Sequence, residues 1–157
     1  IEGGKETVIR CYPKLKDFSV LPDGFEACGL DHEFTLYRRR EKAEDTRVTV
    51  TEGTVGEDSR IYNLKITSPE TWRDTILSLD FGGDKIEIFR DGEMLTDSYY
   101  TGEPVQISLR YFDFPQELQV KIYPLKEDAP RFLERWPQMK DGCACELYGV
   151  GVKNLVW

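Results

Sequence analysis

Trp72, Arg73, Tyr99 and Tyr100 are the residues of this chain best placed by type and spacing to hold a ligand. Trp72 follows Thr-Ser-Pro-Glu-Thr and precedes Arg73-Asp74, between two strand-like runs. A large ring in a loop is freer for recognition than one in a strand. Tyr99 and Tyr100 are adjacent, so in an extended chain one ring faces the interior and the other faces solvent. The chemistry that suits this set is saccharide recognition, because aromatic faces pack on the C–H faces of sugars while carboxylates, amides and guanidinium groups meet the hydroxyls. Trp136 and Tyr111 read as structural: Trp136 shares a helical apolar stripe with Phe132 and Leu133, and Tyr111 continues an inward strand row.

Catalytic signatures are sparse. The chain has 29 acidic residues, which supply many carboxylate pairs without singling out one at the fixed separation a glycosidase needs. His32, the single histidine, lies in Gly-Leu-Asp-His-Glu-Phe with no nucleophile-elbow motif to serve, and reads as a turn or surface residue. The glycines mark turns rather than a phosphate-binding strand-to-helix junction. Arg38-Arg39-Arg40 reads as a solvated strand end that alternation could turn toward acidic groups. Cys11, Cys28, Cys143 and Cys145 form no Cys-x-x-Cys pair, so zinc patterns are not met. Cys143 and Cys145 share a face and read as small buried thiols; Cys11 and Cys28 read either as free thiols or as a bridge. No cofactor is called for, although loops bearing Asp and Glu beside backbone carbonyls suit a structural calcium ion, with no EF-hand order of acids to assign its ligands.

The elements that must carry these residues are strands. Period-two alternation runs through Tyr62–Ile66, Leu77–Phe81, Val105–Tyr111 and Leu118–Ile122, with shorter runs at 7–12, 34–38, 47–51 and 86–89. Gly82-Gly83 and Asp91-Gly92 fall where strands stop, which predicts an antiparallel meander, and Asp-Gly favours a two-residue hairpin. The last run, Cys143 to Trp157, changes apolar parity near Tyr148-Gly149, which predicts a bulge at Gly149. Asp128 to Trp136 predicts the one short helix, with Asp128 as cap, Pro130 in the first turn and Pro137 as the stop. About ten strands and one helix predict an all-β, antiparallel two-sheet β-sandwich, a jelly roll, with a barrel as the alternative.

Composition fits one domain spanning residues 1–157. A chain of 157 residues buries roughly 70% of its unfolded surface, and 39% hydrophobic with 12% aromatic residues is globular composition. A net charge of −8 argues against nucleic acid as a partner, and no apolar run is long enough to span a membrane. The absence of an initial methionine suggests a segment of something longer, and nothing assigns a compartment.

The stretch LSLDFGGDKIEIFRDGEMLTDSYYTGEPVQISLRYF, followed by LQVKIYPLKEDAPRFLERWP, resembles the accessory β-sandwich region of bacterial glycoside hydrolase family 35 β-galactosidases. The likeness rests on Asp91-Gly92, Asp97, Tyr99, Tyr100, Gly102 and the alternating strand Val105 to Leu109, and covers residues 75–137. Two features depart from that pattern: Val105 stands where the family often has tryptophan, and the catalytic barrel with its two glutamates is missing. The resemblance implies a non-catalytic carbohydrate-binding or accessory module, with carbohydrate and a parent catalytic domain as partners. The alternative is a domain that packs on the parent enzyme without touching sugar. An independent hydrolase has no convergent acid pair to support it.

Overall fold

The computed structural model describes residues 4–15, 21, 24–42, 45–56, 58–68 and 73–155. The first three strands, β1 (Gly4–Cys11), β2 (Glu26–Asp31) and β3 (Phe34–Lys42), form an antiparallel sheet in the order β1-β3-β2. Strands β4 (Arg47–Val55), β5 (Arg60–Thr67), β6 (Asp74–Gly82), β7 (Lys85–Arg90), β8 (Glu93–Tyr99), β9 (Val105–Ser108) and β10 (Glu117–Tyr123) follow. The chain closes with β11 (Leu125–Lys126), β12 (Cys143–Ala144) and β13 (Glu146–Leu155). A five-stranded sheet, β4-β5-β10-β7-β8, faces a three-stranded sheet, β13-β6-β9, and β11 pairs with β12.

The alternation in sequence is what makes two layers. Tyr62, Leu64 and Ile66 of β5, Ile86 and Ile88 of β7 and Leu118, Val120 and Ile122 of β10 point inward from the large sheet. They meet Leu77, Leu79 and Phe81 of β6 and Ile107 of β9 in one continuous core. Each such Leu or Ile contributes roughly 1.5–3 kcal/mol on leaving water, so this interface holds most of the apolar stabilisation. In the β1-β3-β2 sheet Tyr37 is fully buried, whereas Val8, Leu30 and Phe34 stay exposed. The chain is an all-β antiparallel sandwich.

Several local expectations are corrected. Gly82-Gly83 does not turn a hairpin: β6 and β7 belong to opposite sheets, so the glycines carry the chain between layers. They are needed there because a Cβ on Gly82 would lie 2.0 Å from the Tyr148 hydroxyl and one on Gly83 would lie 2.6 Å from the Tyr123 carbonyl. Asp91-Gly92 does turn the β7–β8 hairpin, with φ of 50° and 81°, as a primed two-residue turn requires. The bulge at Gly149 is present, since the β13–β6 register shifts between Leu147 and Gly149.

The strand predicted to reach Tyr111 stops at Ser108. The Asp74 carboxylate accepts the Ser108 hydroxyl at 2.6 Å and the Arg110 N–H at 3.0 Å, which bends residues 110–112 into a single 3-10 turn. Tyr111 is therefore 84% exposed rather than part of an inward row. The helix predicted over 128–136 does not form. The Arg131 N–H bonds the carbonyl of Ala129, too tight for an α-turn, and the intended stripe has no buried face, because Phe132 is 97% exposed, Trp136 is exposed and Leu133 is only half-buried. A nine-residue helix without a buried face is marginal in water.

The two ends of the sandwich are built differently. At the end where β6 begins, Thr46 Oγ1 lies 3.1 Å from Ser68 Oγ and 3.3 Å from Thr75 Oγ1, and both threonines donate to Asn154 Oδ1, at 2.8 and 3.0 Å. With Asp74 this makes a neutral, internally satisfied network around one carboxylate. At the end where β7 begins the groups are charged.

Candidate functional site on the outer sheet face

Residues on the large sheet that alternate with the core residues face outward. Register places Tyr99, Lys85 and Tyr123 in one row across β8, β7 and β10, and Asp97, Glu87 and Lys121 in the next. Neighbouring strands lie about 4.8 Å apart, so these six residues are neighbours on one face.

Lys85 is the hub. Its Nζ lies 2.6 Å from Glu87 Oε1 and 3.7 Å from Asp97 Oδ2, and 5.4 Å from the centre of the Tyr123 ring. The Tyr123 hydroxyl donates to Glu87 Oε2 at 2.9 Å, and the Lys121 ammonium lies 4.9 Å from the same ring centre. Burial opposes ionisation of Glu87, but hydrogen bonds from Lys85 and Tyr123 outweigh it and hold this carboxyl below its ordinary range. The hydrogen bond to Glu87 raises the Lys85 ammonium above its usual value, against some desolvation. Both partners are thus fixed in their charged forms. A general acid needs a carboxyl pushed the other way, so the Glu87 carboxylate suits hydrogen-bond acceptance rather than proton donation.

The 127–139 loop completes the end of this face. Arg131 pairs with Asp84 at 2.9 Å and sets its guanidinium 5.2 Å from the centre of the Tyr99 ring. Arg135 pairs with Glu103 at 3.0 Å. Tyr99 remains 57% exposed, so its ring stays accessible while Arg131 holds it in place. A charged network already ordered before a ligand arrives spares part of the entropy of binding. Two shallow clefts at this end, one lined by Lys126, Glu127, Asp128 and Asp141 and the other by Arg60, Lys140, Cys143 and Cys145, do not include Tyr99.

The four residues singled out in the sequence are not brought together. Tyr99 faces out and Tyr100 faces in, as adjacency requires: Tyr100 packs edge-on against Phe81 with ring centres 5.6 Å apart. Burial, with Asp80 nearby, raises its phenol above the ordinary value. Arg73 immediately precedes β6 and donates its N–H to the Leu155 carbonyl, at the opposite end of the sandwich. The eight steps from Asp74 to Gly82 span about 26–27 Å, which separates Arg73 from Tyr99. Trp72 lies outside the described residues.

Lys85, Glu87, Lys121, Tyr123 and Arg131 carry no local motif; only the pairing of distant strands reveals them. His32 sits in the β2–β3 turn with φ of 56°, exposed and 3.0 Å from Asp31. All four cysteines are free thiols, so no Cys11–Cys28 bridge forms. Cys145 donates to the Ile122 carbonyl at 3.3 Å, and burial raises its thiol above the usual range. Among the described residues no three His, Cys, Asp or Glu side chains cluster as metal ligands, so no ligands for calcium are assigned, and no helix is long and apolar enough to cross a membrane. Comparison of the chain with protein-family models, with curated proteins and with solved structures gave no match.

Proposed function

We propose that this chain is a non-catalytic carbohydrate-binding or accessory module of a glycoside hydrolase with a β-galactosidase-like parent. Glycan is held on the outer face of the five-stranded sheet. The single observation that carries this reading is Tyr99, whose ring stays exposed beside the fixed Lys85–Glu87–Asp97 cluster and the Arg131–Asp84 pair. The ring offers a face for sugar C–H groups, and the charged groups around it offer donors and acceptors for hydroxyls.

Affinity electrophoresis in gels cast with galactan and other neutral polysaccharides tests the reading. Tyr99→Ala is expected to weaken retention about tenfold or more, equal to about 1.4 kcal/mol, with the melting temperature unchanged because the ring is exposed. Retention identical to wild type overturns the assignment. The second reading, a domain that packs on its parent enzyme, is favoured by Phe132, which is 97% exposed on the same loop as the exposed Trp136. It predicts no saturable glycan signal and a loss of docking to the parent catalytic domain in Phe132→Ala.

A further inference from the structure

The edge of β13 carries the pattern of a self-pairing strand. β13 pairs with β6 on one side, and no described strand pairs with it on the other. A three-stranded layer lies there against a five-stranded one, and the apolar interior is left partly open. Val50 of β4 pairs with the core residue Leu64, and Val152 of β13 pairs with the core residue Leu77; both therefore face inward, yet both are exposed.

The strand reads Glu-Leu-Tyr-Gly-Val-Gly-Val-Lys-Asn-Leu. Laid antiparallel against a copy of itself with Glu146 opposite Lys153, it also sets Leu147 opposite Val152, the Tyr148–Gly149 bulge opposite Gly151, and Val150 opposite Val150 of the second copy. Faces match as well as charges. Leu147 and Val152 are opposite Phe81 and Leu77 on β6, so both belong to the core side. Paired residues must share a face, and in a regular strand residues 147 and 152 would not; the bulge before Gly149 brings them onto one side.

Edge lysines ordinarily deter strand pairing. Lys153 is exposed, with no ion pair or hydrogen bond to any described residue, and in this register its charge meets a carboxylate of the second copy. Glu146 uses Oε2 on Lys140 at 2.6 Å. A Cβ at Gly149 would meet nothing within 4 Å, so no side chain of the same copy packs over the outer face at the bulge.

We propose that this chain pairs with a second copy of itself through the free edge of β13, antiparallel about a two-fold axis, with Glu146 of each copy opposite Lys153 of the other. Such an isologous contact joins two three-stranded layers into one continuous sheet. Edge pairing buries little side-chain area, so the association is weak, on the order of micromolar or above.

Sedimentation equilibrium of the full chain tests the proposal. Wild type is expected to dimerise with rising concentration, and Lys153→Glu and Glu146→Lys alone are each expected to associate at least tenfold more weakly. An equimolar mixture of the two variants is expected to recover dimers containing one of each, because both cross-strand positions then carry opposite charges. Circular dichroism reports whether each variant folds, and Lys153→Ala, which leaves the Lys140–Glu146 pair intact, is expected to weaken the wild-type dimer if Glu146→Lys does not fold. A wild type that stays monomeric throughout, self-association retained by Lys153→Glu and Lys153→Ala, or folded variants that do not combine would each overturn the proposal.

Discussion

The two ends of the sandwich are stitched by different chemistry. At one end Thr46, Ser68, Thr75 and Asn154 satisfy one another within the fold, and the Asp74 carboxylate is consumed by the Ser108 hydroxyl and by backbone N–H groups of Thr75 and Arg110. At the other, Lys85, Glu87, Asp97, Arg131 and Asp84 pair at the surface beside an exposed tyrosine. A buried hydroxyl network fixes the fold, since any member left alone is costly. A partly exposed charged network adds little stability and leaves its donors and acceptors at the surface. On the proposed reading, the contrast makes stability and recognition separable along the length of one sandwich.

The sharpest break comes from Asn154→Ala. Removing the amide strands the Thr46 and Thr75 hydroxyls, and the expected loss is about 2–4 kcal/mol in urea unfolding, with retention by polysaccharide unchanged while the protein is folded. A loss below about 0.5 kcal/mol would show that water replaces the amide and that this end is no sturdier than the other. Asp74→Ala is expected to cost about 1–3 kcal/mol. It should also free the 3-10 turn, seen as faster amide exchange at Arg110 and Tyr111.

Glu87→Gln at the charged end should cost only about 1 kcal/mol or less and should act mainly on ligand retention. Its pH signature is distinct. The folded Glu87 carboxyl titrates below its unfolded value, so its contribution is present above about pH 4.3 and is lost as pH falls through the folded value. Wild type therefore loses stability in acid faster than Glu87→Gln, as read by urea midpoints measured below about pH 4.5. Equal acid slopes would place the lowered carboxyl elsewhere.

How much of this could be read in the chain follows from the range of the forces involved. Strands β5, β6 and β10 were legible because alternation is local, and the Asp91-Gly92 turn because positive φ is a property of one or two residues. The parity change at Gly149 was legible for the same reason. The predicted helix failed because the apolar spacing at Phe132, Leu133 and Trp136 carries no information on whether a surface exists to bury them; Arg131 and Arg135 are instead drawn to Asp84 and Glu103. Tyr111 was misplaced because Asp74, far back in the chain, decides where β9 ends. Of the candidate site only Tyr99 was visible. Lys85, Glu87 and Tyr123 become neighbours through the β7–β10 register, which joins residues more than thirty positions apart and leaves no mark at either one.

The bulge in β13 has a consequence for how this strand tolerates change in length. Tyr148 and Gly149 together stand opposite Asp80, so the strand holds one residue more than its neighbour at that point. Excising Gly149 would leave Leu147, Val150 and Val152 on the side they already occupy and straighten the ribbon. Excising Gly151 instead would turn everything beyond it inside out. One codon of slack is written into the strand, and only at that place.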